Sequence, residues 1–223
     1  MKITKFNQSC LLISTNNKRI LIDPGMIGYN DELLNNHWLD IDIILVTHKH
    51  ADHCNSEVIN KIIKRDNAKL YITNEIQNEY KFNQKIIVQE EDIITIDDIK
   101  IEVVHAIHGY LTGFAERNAN ILENVGYIID DGKTRFYTTS DTINFYNKIK
   151  CDVIAMPFNG NGLTMGLIDG SDFIKDINPR IVLPIHMEHP NSIMNPDIIK
   201  MDHVFRDKNI EYKILKKYES IEI

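Results

Sequence analysis

Three histidines and an aspartate fall within six consecutive positions, as His48, His50, Asp52 and His53 of the run Thr47-His-Lys-His-Ala-Asp-His53. The run follows Ile41-Asp-Ile-Ile-Leu-Val46, whose length and β-branched content suit a buried strand. Nothing in folding calls for this density of imidazole and carboxylate in one turn. Neutral imidazoles and carboxylates are, however, the donors that zinc, manganese and iron take. His48 and His50 lie two apart, so in extended chain they point to the same side. Asp52 and His53 follow as the chain turns into the helix suggested by Ser56-Glu-Val-Ile-Asn-Lys-Ile-Ile-Lys64. Two pairs of donors on one rigid turn suit two adjacent metals better than one. The bland alternative is a strand-to-helix loop that is rich in histidine by chance.

Further along, other apolar runs finish on the same residue types. Ile101-Glu-Val-Val-His-Ala-Ile107 ends at His108-Gly109, Arg135-Phe-Tyr-Thr-Thr-Ser140 at Asp141, and Arg180-Ile-Val-Leu-Pro-Ile185 at His186. The carboxyl ends of strands are where open sheets present their binding sites. One such ending carries little weight, because strands often end in Asp. Four of them, seeded by the 47–53 cluster, make a strong signal.

The elements that must position these residues are strand-rich early and mixed later. Leu11-Leu-Ile-Ser14 and Arg19-Ile-Leu-Ile22 flank Thr15-Asn-Asn-Lys18, a hairpin signature that stops at Asp23-Pro24-Gly25. Strands are expected at 69–72, 85–88, 93–96, 98–106, 152–156 and 180–184, with a second hairpin, 126–129 to 134–137, turning on Asp131-Gly132. Helices are expected near 55–65, 142–149, 171–177 and 196–208, and strand again over 211–217 and 218–223. That pattern is an α/β or mixed α+β protein with sheets covered by helices. At 223 residues, with no repeat or linker, the chain 1–223 reads as a single domain.

A net charge of −7 disfavours a nucleic-acid surface, which would need clustered Lys and Arg. The N-terminal residues contain no long apolar segment, and the three cysteines, Cys10, Cys54 and Cys151, show no Cys-x-x-Cys spacing. Both observations point to a cytoplasmic protein with no membrane association. The expected partner is a small-molecule substrate. The oligomeric state is open, a homo-oligomer included.

This combination resembles the metallo-β-lactamase superfamily. Its H-x-H-x-D-H motif stands intact as His48, His50, Asp52 and His53, and its later histidine, aspartate and histidine map onto His108, Asp141 and His186. Cys10-Leu-Leu-Ile through Ile20-Leu-Ile-Asp-Pro24 looks like the family's first hairpin. Thr164-Met165-Gly166 and Pro184-Ile-His186 look like motifs of the branch that contains L-ascorbate-6-phosphate lactonase. One departure is Ser140, where relatives commonly have glycine. The resemblance implies a four-layer αββα sandwich holding two divalent metal ions, zinc first, with manganese or iron as alternatives. One ion would take His48, His50 and His108, the other Asp52, His53 and His186, with Asp141 bridging both. It also implies a catalytic hydroxide between the ions, oriented by Asp52 and shared through Asp141, that attacks a lactone, ester or phosphorylated small molecule. A phosphodiesterase acting on nucleotides or nucleic acid could use the same metals, although nuclease relatives usually carry an added arm or inserted domain. An alternative of another class is a non-catalytic metal-binding or regulatory module. Such modules have usually lost ligands, and none is missing here.

Other conspicuous residues invite weaker roles. His105, three before His108, shares a strand face with Ile101 and Val103, which suggests a packed residue or one supporting a ligand. His189 suits either the pocket or a surface loop. Gly109 through Asn120, carrying Tyr110, Phe114 and Arg117, suits a lid, with Arg117 clamping an anionic group, or an ordinary connection. Asn159 and Asn161, in Phe158-Asn-Gly-Asn-Gly162, are candidates for substrate contact. Cys54 reads most simply as the start of a helix, and His37 and His203 as exposed.

Overall fold

The computed structural model describes residues 1–110, 120–145 and 148–223. Its early strands are apolar on both faces, and successive residues feed different cores. Leu11 and Ile13 of β2 (Leu11–Thr15), Ile20 and Ile22 of β3 (Lys18–Ile22) and Ile43 and Leu45 of β4 (Ile43–Leu45) pack into one cluster. Leu12, Leu21 and Ile44 point the other way, into a second. Burial of both faces explains why these strands read as continuous apolar runs rather than as alternating ones.

Two sheets result. The first has the order β13-β1-β2-β3-β4-β5-β6, adding β1 (Lys2–Lys5), β5 (Lys69–Ile72), β6 (Ile86–Ile87) and β13 (Ser220–Glu222). The second has the order β12-β11-β10-β9-β8-β7, from β7 (Ile93–Ile96), β8 (Ile99–Ala106), β9 (Asn124–Asp130), β10 (Arg135–Thr138), β11 (Val153–Pro157) and β12 (Ile181–Ile185). Ile101, Val103, Tyr127, Phe136, Ala155 and Leu183 of the second sheet join the cluster that holds Leu11, Ile20 and Leu45, so the sheets face one another across it. Helix α1 (Ser56–Asp66) lays Val58, Ile59, Ile62 and Ile63 on the outer face of the first sheet. Helices α3 (Leu167–Ile177) and α4 (Ile198–Asp207) cover the outer face of the second with Phe173, Ile174, Ile177, Met201 and Phe205. Helix, sheet, sheet, helix is the expected sandwich. Each fully buried Ile or Leu contributes about 1.5–3 kcal/mol, so the three clusters supply most of the driving force.

Local chemistry sets the boundaries. Asn16 and Asn17 take positive φ of 46° and 59° in the two-residue turn of the first hairpin, as a turn that matches strand twist requires. Asn55 caps α1 by accepting the Val58 N–H, and Asn67 ends it at φ 57°. A short helix, α2 (Asn74–Glu79), follows β5.

Strand direction places the site. Strands β3 to β6 run parallel, as do β10 to β12. Strand β8 is antiparallel to β9, which is antiparallel to β10, so β8 and β10 share a direction. The four strand endings therefore meet along one edge of the sandwich.

Two expectations fail. The described part of 142–149 is not helical. The Thr142 hydroxyl accepts the N–H groups of Ile107 (3.1 Å) and Asn144 (3.0 Å), and the Ile143 N–H donates to the Ile107 carbonyl at 2.8 Å. Two of these three bonds tie the segment to the end of β8, and the third is a local side-chain turn. Residues 211–217 are also not a strand, because only Tyr212 bridges to Val182, and regular pairing is confined to β13.

Candidate metal centre

All seven expected side chains come together at that edge. The rings of His48, His50 and His108 stand 4.7–5.0 Å apart by their centroids, and His48 Nε2 lies 3.1 Å from His50 Nδ1. Around the other end, His186 Nε2 is 3.0 Å and His53 Nε2 3.8 Å from Asp52 Oδ2. Asp141 lies between, its Oδ2 at 3.4 Å from His186 Nε2, 3.5 Å from His53 Nε2 and 3.9 Å from His108 Nε2. Three sets have donor atoms all within 4.8 Å of one another: His48, His50 and His108; His48, His53 and Asp141; and Asp52, His53 and His186.

These atoms suit a cation. Two nitrogens bound about 2.0–2.1 Å from one ion at a tetrahedral angle are about 3.3 Å apart, within the spread seen here. His53 Nε2, His108 Nε2 and Asp141 Oδ1 are buried without a hydrogen-bond partner. Leaving such atoms unpaired costs about 1–3 kcal/mol each, and a cation would satisfy all three. The outer ring nitrogens are meanwhile held from behind, as in metal sites where a second contact fixes the imidazole. His53 Nδ1 is 2.8 Å from Asp23 Oδ2, His108 Nδ1 is 2.7 Å from the Gly109 carbonyl, and His48 Nδ1 is 3.0 Å from the Thr47 hydroxyl.

Charge is arranged accordingly. Burial works to raise the pKa of Asp141 and Asp52, but the neighbouring His53 and His186 overcome it and hold both carboxyls well below the usual range. Burial, aided by His53 and His50, pushes the pKa of His48 well down. Burial also lowers that of His108, against the pull of Asp141. Burial opposes charge on His53 and His186 as well, but Asp141 and the other carboxylates overcome it and raise both pKa values. The carboxylates, His48 and His108 are thus in forms that bind cations, and an ion at the other two rings would displace a proton.

Three residues at the same place adopt left-handed backbone. Asp23, Ser140 and His186 have φ of 47°, 60° and 59°, a region non-glycine residues enter at a cost of about 1–3 kcal/mol. At Ser140 this explains why glycine would suit the position. The serine is compensated, since its hydroxyl donates to Asn124 Oδ1 at 2.7 Å and lies 3.3 Å from His48 Nδ1. Gly109 is needed for close approach rather than for a left-handed turn, because a Cβ there would stand 1.9 Å from the Gly162 carbonyl oxygen.

Asp23 is the residue that motif spacing missed. It is fully buried and accepts from the Thr47 N–H (2.8 Å), the Thr47 hydroxyl (2.9 Å) and His53. The signal was present, for the apolar run 19–22 also ends in an aspartate. Asp23→Ala strands three donors and is expected to destabilise the metal-free protein by about 3 kcal/mol or more, read from the urea midpoint. Wild-type stability would show that Asp23 organises nothing.

The weaker candidates separate. His105 is neither packed nor behind the centre. Its face opens to solvent at the end of β8, its side chain is 54% exposed and paired with Glu90, and it lines a cleft of about 470 Å³. Asn159 holds the site rather than facing a substrate, its side-chain nitrogen donating to the His186 carbonyl at 2.8 Å and to that of Met194. Asn161 is exposed at φ 55° in the next turn. His189 closes its own loop, its Nδ1 accepting the Asn191 N–H at 3.1 Å. Tyr110 is exposed, and Arg117, Phe114 and most of the expected lid lie outside the described residues. Cys54 precedes α1 in an apolar cluster, and burial pushes its thiol pKa up. His203 is exposed, whereas His37 is half-buried and stacks on Tyr218 at 4.3 Å.

A family model described as a β-lactamase superfamily domain matches residues 2–186. The chain belongs to that superfamily. This β-lactamase superfamily protein is 28% identical over 230 residues to a UPF0173 metal-dependent hydrolase of Thermococcus kodakarensis, covering 98% of each. It is 31% identical over 202 residues to a UPF0173 metal-dependent hydrolase of Geobacillus thermodenitrificans, covering 83% of this chain and 85% of the relative. Its fold matches that of a metallo hydrolase from Ignicoccus hospitalis with a TM-score of 0.74 at 22% identity, over 100% of this chain and 98% of the other. Among the described residues, no helix of this superfamily member is long and apolar enough to cross a membrane.

Proposed function

We propose that the protein is a dinuclear metal-dependent hydrolase of a small-molecule lactone, ester or phosphorylated compound, with zinc as its metal. His48, His50 and His108 hold one ion, Asp52, His53 and His186 the other, and Asp141 lies between. The observation that carries this reading is the convergence of seven donor side chains, three of which carry a buried polar atom that lacks a partner. The names of the relatives support it. When bound, a pair of divalent cations lowers the pKa of a water and polarises the bond to be cleaved.

The chain's own residues do the rest. Asp141, with a side chain 6% exposed, balances positive charge from inside the site. Asp52, with a side chain 20% exposed, can accept a hydrogen bond from an attacking water and orient it. The Asn124 side chain holds the segment that carries Asp141, donating to the Asp141 carbonyl at 2.7 Å. Burial of Cys10 and Cys54 as free thiols suits a reducing cytoplasm.

Protein purified without chelator is expected to carry about two ions per chain, a number that follows from too many donors for one tetrahedral site. Loaded with zinc, manganese or iron in turn, it is expected to cleave members of a panel of lactones, esters and phosphorylated compounds. Chelation should abolish turnover and added metal restore it. Cleavage of phosphodiesters alone would move the reaction to that class. Metal binding with no turnover across the panel would favour a binding module, and turnover that survives complete chelation would contradict the proposal.

A further inference from the structure

Gln8 lies between β1 and β2, far in sequence from every histidine of the centre, yet it is fully buried against one of them. Its carbonyl accepts the His186 N–H at 3.1 Å. Its own N–H donates to Glu188 Oε2 at 2.9 Å, its side-chain Oε1 accepts the Glu188 N–H at 3.0 Å, and its side-chain nitrogen lies 3.5 Å from His186 Nδ1. Gln8 and His186 both have positive φ, 54° and 59°. Two strained residues are thus clasped together by backbone and side chain at once, and such conformations persist only where the surroundings over-determine them.

The clasp is anchored. Lys5 Nζ lies 3.0 and 3.1 Å from the two Glu188 oxygens and also donates to the Phe6 carbonyl. The lysine side chain is 2% exposed, and a cation so buried persists only when paired and hydrogen-bonded. The line of contacts runs from Lys5 through Glu188 and Gln8 to His186. Its last member aims Nε2 at Asp52 and Asp141. His53, His108 and His48 are each backed by an oxygen already described, whereas the fourth residue is fixed through its backbone N–H by the Gln8 carbonyl, with the Gln8 side-chain nitrogen beside its Nδ1.

We infer that Gln8, locked by the Lys5–Glu188 pair, is the positioning residue for His186 and sets the affinity of the ion held by Asp52, His53 and His186. The inference rests on the dinuclear reading above. The centre's other end, at His48, His50 and His108, makes no contact with this clasp among the interactions described. Loss of the clasp therefore weakens one ion selectively.

The test is stepwise zinc binding, measured by competition with a chromophoric chelator, alongside thermal unfolding of the metal-free protein. Gln8→Ala is expected to weaken one ion ten- to a hundredfold and leave the other within about threefold. Gln8→Glu keeps an oxygen for the Glu188 N–H and puts a second one where the side-chain nitrogen stood beside His186 Nδ1, able to accept the ring N–H, and should restore affinity to at least the wild-type level. Glu188→Gln, which cuts the tie to Lys5 with little change in volume, should reproduce a smaller selective loss. The same variants in a His50→Ala background, where only the second position stays complete, read that position alone. Wild-type affinity for both ions in Gln8→Ala would overturn the inference and leave the dinuclear reading standing. So would equal weakening of both ions, with lower metal-free stability and no rescue by Gln8→Glu, since that is what a merely structural residue would give. A wild-type protein that binds no zinc would overturn the dinuclear reading itself, and this inference with it.

Discussion

Asp141→Asn is expected to lower turnover by about two orders of magnitude or more and to loosen at least one metal. The carboxylate sits among His53, His108 and His186, with Oδ2 within 3.9 Å of all three ring nitrogens and Oδ1 buried without a partner. An amide of the same shape keeps the packing and loses the negative charge. It also brings an N–H₂ group into a site whose neighbours are poised to surround a cation, so one donor would face the metals directly. The metal-free fold also loses the charge pairing of Asp141 with His53 and His186, so thermal unfolding of the metal-free mutant is read alongside, and losses of metal and turnover in protein that is still folded separate this effect from simple destabilisation. Metal content by elemental analysis and single-substrate kinetics read the two losses. A mutant with full metal content and full activity would remove Asp141 from the shared position.

The second large effect distinguishes His108 from His105. His108→Ala is expected to abolish hydrolysis and weaken the ion held with His48 and His50 by at least about a hundredfold, because it deletes a buried donor whose ring packs against both neighbours. His105→Ala should keep both metals and nearly all activity. Its ring is half-exposed and paired with Glu90, and an exposed pair of this kind is worth about 1 kcal/mol or less. The strand register fixes the distinction. His105 stands opposite Val125 inside the β8–β9 pairing, whereas His108 lies two residues past the last paired position, Ala106. Loss of metal from His105→Ala with retention in His108→Ala would reverse the assignment.

What was legible in the sequence was what local chemistry dictates. The strand endings at His48, His108, Asp141 and His186 could be read because each closes an apolar run with a metal-binding residue. The α/β character followed from apolar strand runs and helix-like stretches such as 55–65, whereas the four-layer sandwich came from the family resemblance that the motif residues carry. Illegible were the residues that act through tertiary contact. Gln8 is an ordinary polar residue until the fold brings it to His186, 178 positions away. Asn159 read as a substrate contact because it follows a strand end, but its amide is spent on the His186 carbonyl. The expected helix at 142–149 failed for a related reason, since tertiary contacts tie its start to the end of β8 through Thr142 and Ile143. His105 shares a strand parity with buried Val103, and alternation alone does not reveal that the covering layer ends before it.

The central claim is that two metal ions sit within one cluster of seven side chains. Anomalous X-ray diffraction from crystals of zinc-loaded protein, recorded on both sides of the zinc absorption edge, tests it directly. The account predicts two peaks, one bounded by His48, His50 and His108, the other by Asp52, His53 and His186, with the Asp141 carboxylate between them. No zinc peak at this edge of the sandwich, or zinc only at residues outside the seven, would contradict it.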